Sequence, residues 1–196
     1  MQVPKAIQEF FEEHPRVALA YSGGCDSAYL LACAVACGAE VKPYLVHSVF
    51  QYDFEPDDAQ LFADYLGVEF ERLNVDVLAH AEVAQNPPDR CYWCKRVIFS
   101  TILEHAAKEG ITVLVDGTNA TDNPERRPGF RALAELGVLS PLRIAGMTKE
   151  AIRAESARAG LPSAEKPSFS CKAVALPEGV PITEEALAGV VPPVWR

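Results

Sequence analysis

At 196 residues, 49% of them apolar, the chain has the size of one domain that can bury a sizeable core, and no apolar run reaches the length of a bilayer span. Its 18 Lys and Arg against 27 Asp and Glu leave a formal charge of −9, which argues against a large nucleic-acid footprint. Residues 1–5 lack the basic and apolar regions of an export signal, so a cytoplasmic location is expected, and six cysteines there point to metal binding, catalysis or burial rather than disulfides.

In chain order, residues 17–21 are an apolar run that reads as a first strand, followed by a tight turn and an alanine-rich helix over 29–37. Residues 41–47 read as a second strand, 56–66 as a helix and 68–75 as a third strand. A long helix is predicted over 89–108, a fourth strand over 112–116, a short helix over 130–136 and a short fifth strand over 138–142. Thr148 is placed to cap a helix over 149–159. Beyond it the chain is proline-rich and poorly periodic, a loop-rich tail with one short helix at 183–188. The division expected is therefore a domain over 1–160 and a short tail over 161–196 that carries Cys171. Strands alternating with helices predict an α/β fold, a parallel twisted sheet of about five strands with helices on both faces. Ligands of such sheets bind beyond the carboxyl ends of the strands. The turn after strand one, Ser48 after strand two, and Asp116, Gly117, Thr118 and Asn119 after strand four would all line that edge.

The first turn reads Ser22, Gly23, Gly24, Cys25, Asp26, Ser27. Two glycines remove the side chains that would block close approach, and successive N–H groups above a helix N-terminus form an anion concavity. Ser22 and Ser27 add hydroxyls, and the Asp26 carboxylate suits Mg²⁺ beside phosphate oxygens. No Gly-Lys-Ser/Thr follows, so this is a phosphate cradle other than a Walker loop.

A second signal is Asn86, Pro87, Pro88, Asp89, Arg90, Cys91, Tyr92, Trp93, Cys94, Lys95. The prolines interrupt what precedes, Asp89 is placed to cap the next helix, and Cys91 and Cys94 share a face of its first turn. The helix dipole with Arg90, Lys95 and Arg96 is expected to favour thiolates. Such a pair suits a metal, an iron–sulfur cluster or redox exchange; a surface pair or structural zinc with Cys171 stays open as well. Cys33 and Cys37 fall in the alanine-rich helix and read as core.

The Ser22–Ser27 pattern resembles the PP-loop of the N-type ATP pyrophosphatases, with Ser22, Gly23, Gly24, Asp26 and Ser27 matching the motif and Cys25 at its variable position. Beyond the loop the chain resembles the LarE-like sulfur transferases, which build the organic part of the nickel-pincer nucleotide cofactor. The resemblance runs from the N-terminus to about Cys171. Its pieces are the loop, 86–95, 116–119, Arg127-Pro128-Gly129, 140–142, 148–153, and Lys166-Pro167-Ser168 with Cys171. It implies an adenine nucleotide alpha hydrolase-like fold and an AMP-forming reaction with ATP and Mg²⁺. A carboxylate of a pyridinium mononucleotide is adenylated, and sulfur then displaces AMP. It implies that Ser22, Gly23, Gly24, Asp26, Ser27, Ser48, Asp116 and Thr118 bind ATP and that Asp26 and Cys171 are catalytic. Arg127 is implied to meet a substrate phosphate, with a solvated arginine as the other reading; Glu55 and Asp122 match acidic positions to which no role attaches. Cys171 matches the sulfur-donating cysteine. With Cys91 and Cys94 it completes the three-cysteine set that implies a 4Fe-4S cluster in place of a sacrificial side chain. A small-molecule carboxylate or nucleotide acceptor and a homo-oligomer are implied too; the sulfur donor is not. Two departures stand out. Lys172, Ala173, Val174 and Ala175 follow Cys171 where the family continues Leu-Ala-Ser-Arg, and the family's longer C-terminal region has no counterpart in the 196 residues. The alternatives are a tRNA-thiolating PP-loop enzyme, against which the acidic balance argues, and a non-catalytic nucleotide-binding protein on the same fold.

Overall fold

A computed structural model describes residues 1–191, 193 and 194; Pro192, Trp195 and Arg196, at the end of the expected 161–196 tail, lie outside the described residues. In chain order the elements are α1 (Lys5–Glu13), β1 (Arg16–Ala20), α2 (Cys25–Ala36), β2 (Glu40–His47), α3 (Glu55–Leu66), β3 (Glu71–Asn74), α4 (Ala81–Ala84) and α5 (Arg90–Lys108). There follow β4 (Leu114–Asp116), α6 (Gly129–Glu135), α7 (Pro141–Ile144), α8 (Lys149–Arg158) and α9 (Glu184–Ala188).

The alternation along β1 explains the layering. Val17 and Leu19 point to one face and Ala18 to the other, and all three are fully buried, as a central strand of a parallel sheet requires. The first face is covered by α1, α2, α3, α7 and α8 through Ile7, Phe10, Leu30, Phe62, Leu142 and Ile152. The second is covered by α5 and α6 through Phe99, Ile102, Ala106 and Leu133, against Tyr44, Val46 and Leu114 of the sheet. α2 is buried almost all round because it is apolar on every face, and its small Ala and Cys side chains let it sit close to the sheet. The N-terminal helix α1 was not marked by the sequence reading; its Ile7, Phe10 and Phe11 form the buried stripe that holds it. Thr148 and Thr183 cap α8 and α9 by accepting from Ala151 N and Ala186 N, each at 3.2 Å. Asp89, expected to cap α5, makes no such bond; its carboxylate pairs with Arg131 at 3.5 Å.

The strands run parallel in the order β3-β2-β1-β4. The fifth strand expected over 138–142 reduces to one bridge between Val115 and Leu139, because Pro141 then starts the single turn of α7. The chain steps outward from β1 through β2 to β3 and returns on the other side as β4. The direction of winding thus reverses between β1 and β4, and a crevice opens beyond their carboxyl ends. A third cluster of Phe50, Val77, Val83, Ala173, Ile182 and Leu187, with Trp93, Cys94 and Cys171 against it, holds the C-terminal segment over the start of α5. Among the described residues no helix is long and apolar enough to cross a membrane.

The turn after β1 depends on Gly23. Its φ is +65°, and a Cβ there would come within 2.6 Å of Ala59 Cβ and 2.7 Å of its Cα, on α3. Gly38, also left-handed at +72°, has nothing within 4 Å of such a Cβ. Gly23→Ala should therefore cost about 2–5 kcal/mol, combining left-handed strain with overpacking, and Gly38→Ala only about 1–2 kcal/mol. Urea denaturation of the two variants checks this; equal losses would show that the α3 contact does not constrain the turn.

Candidate active site at the carboxyl edge of the sheet

A cavity of about 720 Å³ opens beyond the carboxyl ends of β1 and β4. Its walls include Ser22, Gly24, Asp26 and Ser27 from the first turn, Asp116, Thr118 and Asn119 from the turn after β4, and Ser168, Phe169 and Cys171 from the C-terminal segment. The two turns touch: a Cβ on Gly117 would lie 2.9 Å from Ser27 N. Within the first turn Ser22 Oγ and Ser27 Oγ are 3.1 Å apart, Gly24 N donates to Ser22 Oγ at 3.3 Å, and Ser27 Oγ donates to Gly24 O at 3.1 Å. No side chain caps α2, so the N–H groups of its first turn face the crevice without a protein acceptor from a cap.

The carboxylates of the cavity are held by cations and amides. Lys149 Nζ lies 2.8 Å from both Asp26 oxygens, and Asn119 Nδ2 donates to Asp26 Oδ2 at 3.3 Å. Asp116 is buried and accepts from Thr118 N at 3.2 Å, from Thr118 Oγ1, and from Ser140 Oγ at 2.6 Å, so it shapes its own turn. Asn119 N donates to Asp122 Oδ2 at 3.0 Å, and Asp122 in turn pairs with Arg127 at 2.7 Å. Arg127 is exposed at the rim, its guanidinium reaching the cavity wall. Lys95 also reaches the wall; it passes over the start of α6, where a Cβ on Gly129 would meet its Cδ at 2.5 Å. Glu55 lines the cavity too, and burial raises its carboxyl above the usual range, partly offset by the N–H of Tyr52. Ser48 lies in a neighbouring depression with His47, Asp53 and Lys172, its N–H donating to Gln51 Oε1 at 2.8 Å.

Cys91 and Cys94 stand in the first turn of α5, and Cys171 approaches them from the C-terminal segment. The expected stabilisation of a thiolate does not hold at Cys94. Burial pushes the Cys94 thiol up to about 12, helped by the charges of Cys171 and Cys91, against the weaker opposing pull of Arg90 and Lys95. Burial raises Cys171 as well, with Arg90 opposing. Arg90 instead serves as an anchor, being only 7% exposed. Its Nη1 donates to Asn86 Oδ1 at 2.8 Å and to Ala173 O at 2.7 Å, and its Nη2 faces Cys91 Sγ at 3.7 Å. Asn86, at a φ of 52°, donates through Nδ2 to Pro177 O at 2.8 Å, and Lys172 N donates to Phe50 O at 2.8 Å. These bonds place Cys171 at the cavity wall with the other two thiols near it. Among the described residues, no group of three or more His, Cys, Asp and Glu side chains is arranged to hold a metal ion.

No family model matches the chain. It is 33% identical over 185 residues to the uncharacterized protein slr1717 of Synechocystis sp., covering 94% of this chain and 69% of that protein. It is 30% identical over 178 residues to pyridinium-3,5-bisthiocarboxylic acid mononucleotide synthase of Lactiplantibacillus plantarum, covering 90% and 64%. It is also 31% identical over 189 residues to the tRNA-specific 2-thiouridylase MnmA of Frankia alni, covering 78% and 53%. The chain thus spans 69%, 64% and 53% of the lengths of these three relatives. Among solved structures, NMN synthetase from Francisella tularensis superposes with a TM-score of 0.64 at 15% identity over 86% of this chain and 76% of that one. NH3-dependent NAD synthetase from Campylobacter jejuni does so with 0.62 at 18% identity, over 80% and 69%. At such identities these two speak for the fold alone.

The burial of Cys94 has a signed consequence. Its raised folded value favours the protonated thiol, so that contribution to stability is complete below the unfolded value of about 8.5 and is lost as pH rises toward about 12. In metal-free protein, iodoacetamide should modify Cys94 far more slowly between about pH 7 and 9 than in urea-unfolded chain. Peptide mass mapping reads this; modification at the unfolded rate or faster would show a stabilised thiolate.

Proposed function

Because the chain belongs to the LarE-like family of the PP-loop superfamily, we propose that it is an ATP-dependent sulfur transferase that activates a carboxylate of a small pyridinium mononucleotide-type acceptor as its adenylate. The observation that carries this reading is the shared cavity. The phosphate cradle and Cys171 line the same space, so an acceptor activated at one wall stands before a sulfur at the other.

In the first step an acceptor carboxylate oxygen attacks the α-phosphorus of ATP, the α–β bond breaks, and pyrophosphate leaves. The N–H groups of the cradle and the Ser22 and Ser27 hydroxyls oppose the charge that develops on that leaving group, and they do so without reorganising at the moment of reaction. Asp26 is a partly exposed oxygen donor at the cavity wall and suits Mg²⁺, which supplies charge neutralisation at the phosphates when bound; Lys149 then becomes available to a phosphate oxygen. Thr118 and Asp116 shape the ribose side, Ser48 lies outside this cavity wall, and Arg127 at the rim meets a substrate phosphate. In the second step sulfur attacks the acyl carbon, a C–S bond forms, and the C–O bond to AMP breaks.

The three thiols gathered about Arg90 suit a 4Fe-4S cluster, which is wider than a single ion and would be held by Cys91, Cys94 and Cys171. When bound it supplies sulfur from outside the polypeptide, so no side chain is consumed. The same reading takes 1–160 as the ATP-binding unit and 161–196 as the segment that brings Cys171 to it, within a homo-oligomer. Thiolation of tRNA is the second reading, favoured by the likeness to MnmA and opposed by the charge of −9; salt-sensitive tRNA binding would support it.

Asp26→Asn should slow acceptor-dependent pyrophosphate release by about 100-fold or more. Cys171→Ala should retain that release and lose thiocarboxylate formation. Anaerobically prepared protein should contain iron and acid-labile sulfide, and Cys171 should keep its mass through turnover. Sulfur transfer by Cys171→Ala would contradict the proposal, and conversion of Cys171 to dehydroalanine would contradict the cluster.

A further inference from the structure

Lys166 is a lysine whose ammonium is turned away from solvent, with the residue 3% exposed. Its Nζ donates to Gly23 O at 3.0 Å and pairs with Asp58 Oδ2 at 3.0 Å, in the first turn of α3. The turn from which it reaches is clamped. Lys166 N donates to Ser163 O at 3.1 Å, and Arg153 donates to Ala164 O at 2.8 Å and to Lys166 O at 2.7 Å. A buried ammonium is costly unless fully paired, so what it touches deserves an explanation.

What it touches is the peptide at the heart of the cradle. The carbonyl and N–H of a trans peptide point in opposite directions. With Gly23 O held by Lys166, Gly24 N–H is turned the other way, toward Ser22 Oγ and the cavity that Gly24 lines. Pro167, Ser168, Phe169 and Cys171 follow Lys166 along the cavity wall. One side chain therefore joins the phosphate cradle to the segment that carries Cys171.

We propose that Lys166 is a positioning residue with two linked effects. It fixes the Gly23–Gly24 peptide so that Gly24 N–H is presented to a phosphate, and it couples occupancy of the cradle to the placement of Cys171. A phosphate that accepts from Gly24 N–H polarises the peptide and makes Gly23 O a stronger acceptor for Lys166. The grip on the 166–171 segment tightens as the cradle fills, and by linkage a change at Cys171 alters phosphate affinity by the same factor. This rests on the reading of the cradle as an ATP site.

Inorganic pyrophosphate with Mg²⁺ is the probe, because it fills the cradle without an adenosine to shield Cys171. Binding is followed by calorimetry, and alkylation of Cys171 in protein free of iron and zinc by mass spectrometry, for native chain and Lys166→Met. Native protein should show slower Cys171 alkylation when pyrophosphate is bound. Lys166→Met should bind pyrophosphate about 10- to 100-fold more weakly and, at saturation, show no effect of it on Cys171. If that variant does not fold, Lys166→Met with Asp58→Asn removes both formal charges and should behave the same way. Folded variants with native affinity, or with the native effect on Cys171, would overturn the inference, as would native Cys171 alkylation indifferent to bound pyrophosphate. A native chain that binds neither pyrophosphate nor ATP would instead overturn the proposed function itself.

Discussion

The site is built on a backbone approach that excludes side chains. At the carboxyl end of β1 the chain must pass so close to α3 that no Cβ fits at Gly23, and the turn after β4 must come so close to α2 that none fits at Gly117. These two contacts bring the strand ends at the switch point together and leave the first turn of α2 facing the crevice between them. The Asp26–Lys149 pair, the Asp116 hydroxyl contacts and the Lys166 bond to Gly23 O all depend on where those two turns sit.

Electrostatics then divides the cavity into two kinds of environment. On the cradle side, Asp26 and Asp116 are matched by an ammonium, an amide and hydroxyls, so a bound nucleotide meets donors that are already oriented. On the cysteine side burial is the largest effect at Cys94 and Cys171 and favours their protonated thiols. Thiolates at Cys91, Cys94 and Cys171 would repel one another, and at Cys94 the pull of Arg90 and Lys95 is weaker than the cost of burial. The buried Arg90 and the left-handed Asn86 make this arrangement rigid by tying residues 173–179 to the start of α5.

Much of this was legible in local sequence. The strand, two glycines and helix around Ser22–Ser27 announced the cradle because its chemistry is carried by consecutive residues, and Thr148 announced its helix for the same reason. What sequence reading missed is non-local. Lys149 meets Asp26 across 123 positions, and Lys166 meets Gly23 across 143, so neither partner marks the other in the chain. The expectation for Cys94 fails because neighbouring Arg90, Lys95 and Arg96 are visible in sequence whereas burial is not, and burial is the larger effect there. The run 138–142 has a strand's composition, yet Pro141 allows one bridge before the chain turns helical. Helix α1 escaped notice because its buried stripe of three residues finds its partners only in the folded core.

The central claim is that the cradle breaks ATP at the α–β bond to activate an acceptor for the sulfur held at the opposite wall. The most direct test is the identity and stoichiometry of the nucleotide product in a single-turnover reaction with a carboxylated pyridinium mononucleotide. The account predicts AMP and pyrophosphate in equal amounts, matched by the sulfur incorporated. Release of ADP and orthophosphate, or sulfur incorporation without AMP, would contradict it.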